Sequence, residues 1–455
     1  MKNISFMIMS DAHLDSDFAI DCNARRREQR HAFDEALKLC RRYTIDYLLV
    51  PGDLFDKRSP DPETVNYVIS SFAALDRTAV IIAPGNHDPM TVDSPYRLYD
   101  WPQNVFIFPD KKVTFVEFND KIRGVADRDY LFSAGRETGR RGIRFYGAAF
   151  EGHFSRESLF VSRDGRTPRL SPSFVNVLVM HGTVVTDNAK SNYNPIPKDV
   201  LDECGFDLCA IGSNHSYSRK GTVVSSGVLC PRNFDEPGDT GVVMGEITDD
   251  GRLLTDFVPI NAIRYETVKY DVSGAEDLSV RAITNGIKAI TNRADCHRIE
   301  ITGEIGYDEN IDTAGIRTEL SGYYPIVTVT DKTVKKADMR LLTAEKTFRG
   351  VFASKVWGKV KKQRDDEKET GKAPAYSERA FESAINISLK IFDGAGLANE
   401  QKNASRANEN SANRRTSEGF SYDLFDSGSY SKAADTVNAI MNGDVSEDAT
   451  QGETI

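Results

Sequence analysis

The chain has 455 residues, of which 58 are basic and 68 are acidic, giving a formal net charge of −10. This length allows two or three domains with a sizeable core, and the apolar runs are too short to span a bilayer. Because the N-terminus also has no signal-peptide pattern, we expect a soluble, cytoplasmic protein with no membrane partner. The six cysteines show no Cys-x-x-Cys spacing, which predicts reduced structural thiols.

Five short apolar runs in the first half of the chain each end in a turn with polar residues. Runs of this kind predict strands that are buried on both faces. In open α/β sheets, the polar residues at such strand ends form the functional site. We therefore expect one site built from the residues that follow the five runs: Asp11 and His13, Asp53 and Asp56, Asn86, His87 and Asp88, His181, and His215.

Helical patterns alternate with these strands. Apolar residues between Ala32 and Cys40 and between Val65 and Leu75 recur at three- and four-residue spacing, which predicts two amphipathic helices. The periodicity fails between Arg123 and Gly142, where we expect a loop, and the strand pattern then resumes until Pro259. Residues 1–265 are therefore predicted to form a two-sheet α/β sandwich.

The residue types at the strand ends favour a divalent metal site. Carboxylates, imidazoles and one amide oxygen, without thiolates, favour Mn²⁺, Fe, Zn²⁺ or Mg²⁺ over softer metals or iron–sulfur chemistry. A carboxylate such as Asp53 can bridge two ions. Two ions about 3.5–4 Å apart can activate water and neutralise charge on phosphoryl oxygens. The pattern therefore indicates a two-metal site that hydrolyses phosphoesters.

The order of these motifs resembles that of the calcineurin-like metallophosphoesterases. It comprises Asp-x-His, Gly-Asp-x-x-Asp, Gly-Asn-His-Asp, His-Gly and Gly-x-x-His. Within that family, the segments that resemble the SbcD-type DNA exonucleases are Ser10-Asp-Ala-His-Leu-Asp15, Gly52-Asp-Leu-Phe-Asp56, Ser226-Gly227 and Asn233-Phe-Asp-Glu-Pro-Gly238. Trp101-Pro-Gln-Asn-Val105 and Phe145-Tyr-Gly147 are similar to the YhaO-like bacterial branch. The resemblance is specific over residues 1–265 and looser over residues 266–330.

The resemblance implies a role for each matching residue. One metal would be held by Asp11, His13, Asp53 and His215, and a second by Asp53, Asn86 and His181. His87 would not be a ligand but would stabilise or protonate the leaving oxygen, a task that suits an imidazole at neutral pH. The resemblance also implies DNA as substrate, a homodimer, and an SMC-like coiled-coil ATPase as partner. We expect two divalent ions, with Mn²⁺ ahead of Mg²⁺, Fe or Zn²⁺.

One position departs from the family pattern. The family has Gly-His-x-His where this chain has Gly212-Ser-Asn-His215, so Ser213 stands in place of a metal-binding histidine. A neutral hydroxyl is a weak ligand, which makes Ser213 an uncertain member of the second metal site. The consequence is an active enzyme that needs more metal, an altered metal preference, or a loss of catalysis. We favour the first because the rest of the site residues are present.

A net negative charge is unusual for a DNA-binding protein, but half of it lies near the C-terminus. Residues 399–455 contain 10 acidic and 5 basic residues, so the remaining chain is close to balanced. A basic cluster of Arg25, Arg26 and Arg27 follows the first metal motif and is predicted to bind DNA phosphates. A solvated helix surface is the alternative interpretation of this cluster.

The rest of the chain is predicted to form three further segments. Residues 266–330 alternate strand, helix, strand, helix and strand patterns, which predicts a small α/β module; the resemblance implies that it caps the site and steers DNA. Residues 340–393 contain two amphipathic helices that could pack on the body or dock onto a partner's coiled coil, and we favour docking. Residues 394–455 have few large apolar residues and are predicted to be a disordered acidic tail.

Three functions are consistent with these features. The first is a metal-dependent DNA exonuclease or endonuclease that acts with an ATPase in DNA repair. The second is a phosphoesterase for a small molecule or a phosphoprotein. The third is a non-catalytic protein that binds DNA ends or a partner, for which Ser213 is the only argument. We favour the first because of the SbcD-type motifs, the added module and the C-terminal helices.

His31, His153 and His297 are predicted to be ordinary surface or hydrogen-bonded residues.

Overall fold

The structure is a computed structural model that describes residues 3–18, 22–119, 142–186, 189–260, 263–307, 309–336 and 339–370. The loop predicted after Arg123, the end of the predicted helical segment at 371–393 and the predicted tail at 394–455 lie outside these residues. The chain divides into two compact units. The first consists of Met1–Val268, Thr284–Glu300 and Ala314–Thr330, and the second of Lys269–Ile283, Ile301–Thr313 and the described residues from Asp331 onward.

The secondary structure alternates strands and helices through most of the chain. The strands are β1 (Ile4–Ile8), β2 (Tyr47–Val50), β3 (Ala79–Ile82), β4 (Val105–Ile107), β5 (Thr114–Asn119), β6 (Gly142–Gly147), β7 (Val175–His181), β8 (Thr183–Val185), β9 (Pro195–Pro197), β10 (Leu208–Gly212), β11 (Ser218–Lys220), β12 (Val223–Ser225), β13 (Gly241–Ile247), β14 (Leu253–Pro259), β15 (Tyr265–Asp271), β16 (Cys296–Thr302), β17 (Glu304–Gly306), β18 (Val327–Asp331) and β19 (Val334–Lys336). The helices are α1 (Cys22–Arg42), α2 (Pro62–Ala73), α3 (Pro95–Leu98), α4 (Lys198–Cys204), α5 (Val280–Ile290), α6 (Thr313–Ser321), α7 (Met339–Ala344) and α8 (Phe348–Thr370).

Two six-stranded sheets form the body of the first unit. One has the order β14-β13-β1-β2-β3-β4, and the other has the order β11-β12-β10-β7-β6-β5. Strands β1 to β4 run parallel in the first sheet, and β6, β7, β10 and β12 run parallel in the second. The antiparallel strands β13, β14, β5 and β11 extend the sheets at their edges. The carboxyl ends of the parallel strands therefore share one edge of each sheet.

The core between the two sheets explains why their strands are continuous apolar runs. Phe6 and Ile8 of β1 pack in one buried cluster with Val177 and Val179 of β7. The intervening Met7 belongs to a separate cluster on the opposite face, as the two-residue period of a strand requires. Both faces of the strand are buried, and the structure confirms the predicted α/β fold with two packed sheets.

Helices cover the outer faces of both sheets. Phe33 of α1 and Phe72 of α2 are fully buried in the same cluster as Met7. On the second sheet, Leu201 of α4 packs in a buried cluster with Leu178 of β7. The layers of the first unit are therefore helix, sheet, sheet and helix, which leaves the strand ends as the accessible part of the parallel strands.

The residues after β14 contain the predicted succession of strand, helix, strand, helix and strand. These elements are β15, α5, β16, α6 and β18, while β17 and β19, of three residues each, are too short to produce a sequence pattern. In the second unit, α7 and α8 pack together through Leu342, Val356 and Val360. Of the helices described, none combines the length and the apolar character needed to cross a membrane. The predicted domain limits and the docking role of the helices stay predictions.

Candidate metal centre

The polar residues of the five motifs come together at the carboxyl ends of the parallel strands. In the first sheet they follow β1, β2 and β3, and in the second they lie at or just after the ends of β7 and β10. Asp11 and His13 follow β1, Asp53 follows β2, and Asn86 and His87 follow β3. His181 is the last residue of β7, and Ser213 and His215 follow β10. The candidate site is therefore assembled from both sheets of the sandwich.

Several of these residues have an unusual backbone conformation. Asp11, His13, Asp53 and Ser213 have φ values of 49°, 45°, 51° and 89°, in the left-handed region that residues other than glycine rarely adopt. Such conformations cost about 1–3 kcal/mol each and persist where the surrounding structure enforces them. Their concentration in the turns after β1, β2 and β10 is typical of a functional site.

The buried Asp88 carboxylate holds the turns after β2 and β3 together. It accepts hydrogen bonds from the backbone N–H groups of Gly85, Phe55 and Asp53, at 2.8, 3.1 and 3.2 Å. The Tyr96 hydroxyl donates a fourth hydrogen bond at 2.6 Å. Asp88 therefore holds the backbone of Asp53 in position, and its carboxylate oxygens are directed at the two turns.

The side chains form three overlapping groups whose ligand atoms lie within 4.8 Å of one another. These groups are Asp11, His13 and His215; His13, Asp53 and His87; and Asp11, Asp53 and His181. His181 Nε2 lies 3.4 Å from Asp53 Oδ2, and His215 Nε2 lies 3.9 Å from Asp11 Oδ1. These separations are longer than ordinary hydrogen bonds but suit ligands that share a cation.

The surroundings of the buried His13 ring indicate that metal ions fit this arrangement. Within the described parts of the chain, neither ring nitrogen of His13 makes a hydrogen bond of good geometry. Asp56 Oδ1 lies 2.8 Å from Nδ1, which leaves Nε2, 3.8 Å from Asp53 Oδ2, as the ring nitrogen without a close acceptor. Buried polar atoms without a partner are rare, and a divalent cation would satisfy this one. The Asn86 amide oxygen, 2.9 Å from His181 Nε2, adds a neutral oxygen to the donor set. Carboxylate, imidazole and amide donors together fit divalent ions.

The two central carboxylates have opposite pKa shifts. Burial raises the pKa of Asp11, and the net shift remains upward despite the neighbouring imidazoles. Burial also acts to raise the pKa of Asp53, but His181, His13 and His87 outweigh it and lower the pKa. A bound cation would favour the ionised form of both carboxylates, which removes the cost of burying them.

A carbonyl or carboxylate oxygen lies close to the other ring nitrogen of each of three imidazoles. The contacts at Nδ1 are the Pro51 carbonyl oxygen for His181 at 3.0 Å, Asp56 Oδ1 for His13 at 2.8 Å, and Glu236 Oε1 for His215 at 2.8 Å. This arrangement directs the three Nε2 atoms toward the carboxylates. Outer partners of this kind fix ring orientation and tautomer in metal sites.

The family model described as calcineurin-like phosphoesterase matches residues 4–216. This part of the chain is a calcineurin-like phosphoesterase domain. The matched range contains every candidate ligand described above, and the family uses divalent metals. A crystal structure described as that of TT1561 of Thermus thermophilus is similar at 11% sequence identity, covering 57% of this chain and 99% of that chain, with a TM-score of 0.32.

Two residues beyond the matched phosphoesterase range were not predicted. Glu236 is 4% exposed, and Arg232 bonds to it through Nη2 at 2.7 Å and to Asp56 Oδ1 through Nη1 at 2.9 Å. Burial acts to raise the pKa of Glu236, but hydrogen bonds from His215 and Arg232 outweigh it and lower the pKa to about 2. Glu236 is therefore a charged carboxylate behind a candidate ligand. Its only sequence signal was the Asn233–Gly238 motif, which does not predict this contact.

The backbone of Ser213 contacts the candidate centre. Its N–H group donates to the two carboxylate oxygens of Asp11, at 3.1 and 3.2 Å. The structure thus places the residue that replaces the usual histidine directly beside a candidate ligand. A bond from the Ser213 hydroxyl to a metal ion stays a prediction.

The three arginines of the basic cluster have different surroundings. Arg25 is 3% exposed, with its guanidinium 5.1 Å from the centre of the Tyr265 ring. Arg26 pairs with Asp15 at 3.0 Å, and Arg27 is exposed. The structure therefore does not bring all three to one surface. Their role in substrate binding stays a prediction, for which Arg27 has the most suitable exposure.

We expect Gly52→Ala to weaken Mn²⁺ binding to the phosphoesterase domain about 10- to 100-fold, the usual effect of disturbing the groups that orient a metal ligand. Gly52 has a φ of +91°, and a Cβ there would lie 2.5 Å from His181 Nδ1. Gly221→Ala is the matched control, because Gly221 has a φ of +64° and no described atom within 4 Å of the added Cβ. Calorimetric titration with Mn²⁺ measures the difference, and equal affinities would contradict the close approach to His181.

We expect Glu236→Gln to lower the affinity for Mn²⁺ about 10- to 100-fold, because it removes the charge that orients His215. The control is Asp235→Asn, which neutralises an adjacent but exposed carboxylate. Metal titration of both variants gives the comparison. A Glu236→Gln protein that binds Mn²⁺ as tightly as the control would show that the contact with His215 is dispensable.

Proposed function

We propose that this protein is a metal-dependent DNA nuclease that hydrolyses phosphodiester bonds. The observation that carries the proposal is the position of Asp53, whose Oδ2 lies 3.8 Å from His13 Nε2 and 3.4 Å from His181 Nε2. The two imidazoles come from different sheets, and a buried carboxylate between them suits a residue that bridges two ions. The SbcD-type motifs of the sequence support DNA as the substrate.

The proposed ligands divide into two sets that share Asp53. One ion would be held by Asp11, His13, Asp53 and His215, and the other by Asp53, Asn86 and His181. When bound, such ions lower the pKa of a water molecule and neutralise charge on phosphoryl oxygens. The outer contacts of Asp56 and Glu236 keep the imidazole rings of His13 and His215 in position for this role.

His87 is proposed to deliver a proton to the leaving oxygen. Its side chain is 37% exposed, in contrast to the buried His13 and His181, so a substrate can reach it. Its Nδ1 lies 3.0 Å from the Asp56 carbonyl oxygen. This contact holds Nδ1 as a hydrogen-bond donor, so the proton given up by Nε2 comes from the doubly protonated imidazolium, and its transfer leaves the neutral ring protonated at Nδ1.

The partners and the location are also part of the proposal. The SbcD-type resemblance supports an SMC-like coiled-coil ATPase as partner, docked on the predicted helical segment at 340–393, and a homodimer of the nuclease. We propose Mn²⁺ as the preferred ion and DNA repair in the cytoplasm as the setting. The predicted module at 266–330 would steer DNA toward the metal centre.

Cleavage of end-labelled duplex and single-stranded DNA in Mn²⁺ tests the proposed function. We expect the wild type to cut DNA and His87→Ala to lower the rate about 10²- to 10⁴-fold, the usual contribution of a positioned acid. Mn²⁺ affinity of this variant should be unchanged, because His87 is not a proposed ligand. A parallel loss of affinity would instead make His87 a ligand, as its grouping with His13 and Asp53 also allows.

We expect Ser213→His to lower the Mn²⁺ concentration needed for half-maximal cleavage, since an imidazole would replace a weak ligand beside Asp11. Ser216→His, at an exposed position three residues later, is the control. Cleavage by Ser213→His but not by the wild type would mean that the natural protein has lost catalysis. Hydrolysis of a phosphate monoester without cleavage of DNA would contradict the nuclease proposal.

A further inference from the structure

A row of aromatic rings leads away from the candidate metal centre. The His153 ring lies 6.5 Å from the His87 ring, and the Phe154 ring lies 6.5 Å from His153, measured between ring centres. The Tyr193 ring follows at 5.9 Å from Phe154, tilted by 36°. The row connects the proposed proton donor with the surface of the first unit.

The outer two rings expose apolar surface side by side. Phe154 is 63% exposed and Tyr193 is 38% exposed. Single exposed apolar side chains are common, but two adjoining aromatic rings beside a candidate active site need a reason. Among the described residues, neither ring belongs to the three buried clusters of the sandwich, so these clusters do not explain the positions of the two rings.

Backbone hydrogen bonds fix the two segments that carry these rings. Ser155 N donates to the carbonyl oxygen of Asn192 at 2.8 Å, and Asn194 N donates to the carbonyl oxygen of Ser155 at 2.7 Å. These bonds clamp the residues next to Phe154 against those on both sides of Tyr193. The pair of rings is therefore preorganised rather than carried on independent loops.

The same segment is tied to the metal centre through Asn194. This residue is fully buried, has a left-handed φ of 44°, and donates from Nδ2 to the carbonyl oxygen of His181 at 2.7 Å. Its Oδ1 accepts from the backbone N–H of Leu159 at 2.7 Å. The ring pair consequently keeps a fixed position relative to a candidate ligand.

We propose that Phe154 and Tyr193 form a stacking platform for an unpaired nucleobase next to the scissile phosphate. The inference rests on the proposed nuclease function and specifies its substrate. Bases stack on aromatic side chains through their π-faces, whatever their sequence. A base inside a duplex already stacks on its neighbours, so the platform favours single-stranded ends and unpaired segments.

The charge on the same two segments suits a polynucleotide. Arg156 and Lys190 are exposed and lie within three residues of Phe154 and Tyr193 in the sequence. The nearby Glu151 and Glu157 are paired with Lys111 and Arg163. Positive side chains that flank a stacking surface are the usual combination for binding a single strand.

Binding of a fluorescent single-stranded oligonucleotide, measured by anisotropy in EDTA so that no cleavage occurs, tests the platform. We expect Phe154→Ala and Tyr193→Ala each to weaken binding roughly 5- to 100-fold. Tyr193→Phe and Phe154→Trp keep a ring and should bind like the wild type. Tyr43→Ala is the control, because Tyr43 is 54% exposed but precedes β2, at the opposite end of the strand from the site.

A series of DNA substrates, each with one abasic site at a different position, identifies the base that stacks on Phe154 and Tyr193. In Mn²⁺, removal of the base next to the scissile bond should lower the cleavage rate of the wild type by the same factor as Phe154→Ala does on intact DNA. When Phe154→Ala acts on the abasic DNA, the rate should fall no further. Wild-type cleavage of DNA with no such coupling, and with alanine variants that bind normally, would overturn the platform and leave the nuclease function intact. A wild type that neither binds nor cleaves DNA would overturn both.

Discussion

The contact on which the candidate site depends is made by a residue that is not a candidate ligand. The Asp88 carboxylate accepts hydrogen bonds from the turns after two adjacent parallel strands, including the backbone N–H of Asp53, 35 residues away. Burial and the neighbouring Asp53 raise the pKa of Asp88, and the hydrogen bonds from its donors partly offset that cost. The bond to Asp53 helps to hold that residue in a left-handed conformation, which in turn places its side chain between His13 and His181.

The fold and the location of the site could be predicted because the relevant signals are local in sequence. A buried strand, a sharp turn and a polar residue occur within ten residues around Asp11, Asp53 and His181, and parallel strands bring such ends together. The contact between Arg232 and Asp56 spans 176 residues and depends on how the chain after β12 returns to the site, which no local pattern records. The surroundings of the basic cluster could not be predicted for the same reason. Three adjacent arginines on one helix do not indicate that Arg25 packs against Tyr265, which is 240 residues away in the sequence.

The electrostatics of the centre indicate a site prepared for positive charge. Asp11 and Asp53 are both buried, and each lies near imidazoles whose Nδ1 atoms already face other acceptors. The Nε2 atoms and the carboxylates thus face a common space without close hydrogen bonds to one another. Glu236 stays ionised behind His215 and reinforces the attraction for a cation.

The candidate ligands lie at strand ends of two different sheets, and this affects how long the folded protein would last in the cell. Asp11, Asp53 and Asn86 follow strands of one sheet, whereas His181 ends a strand of the other sheet and His215 follows another of its strands. A cation held by members of both sets would act as a cross-link. By mass action, a ligand that binds only the folded state adds about 2.7 kcal/mol of stability at a concentration of 100 Kd. If a cation occupies the centre, the opening of the sandwich to proteases would therefore depend on the metal supply, and metal starvation would shorten the lifetime of the protein.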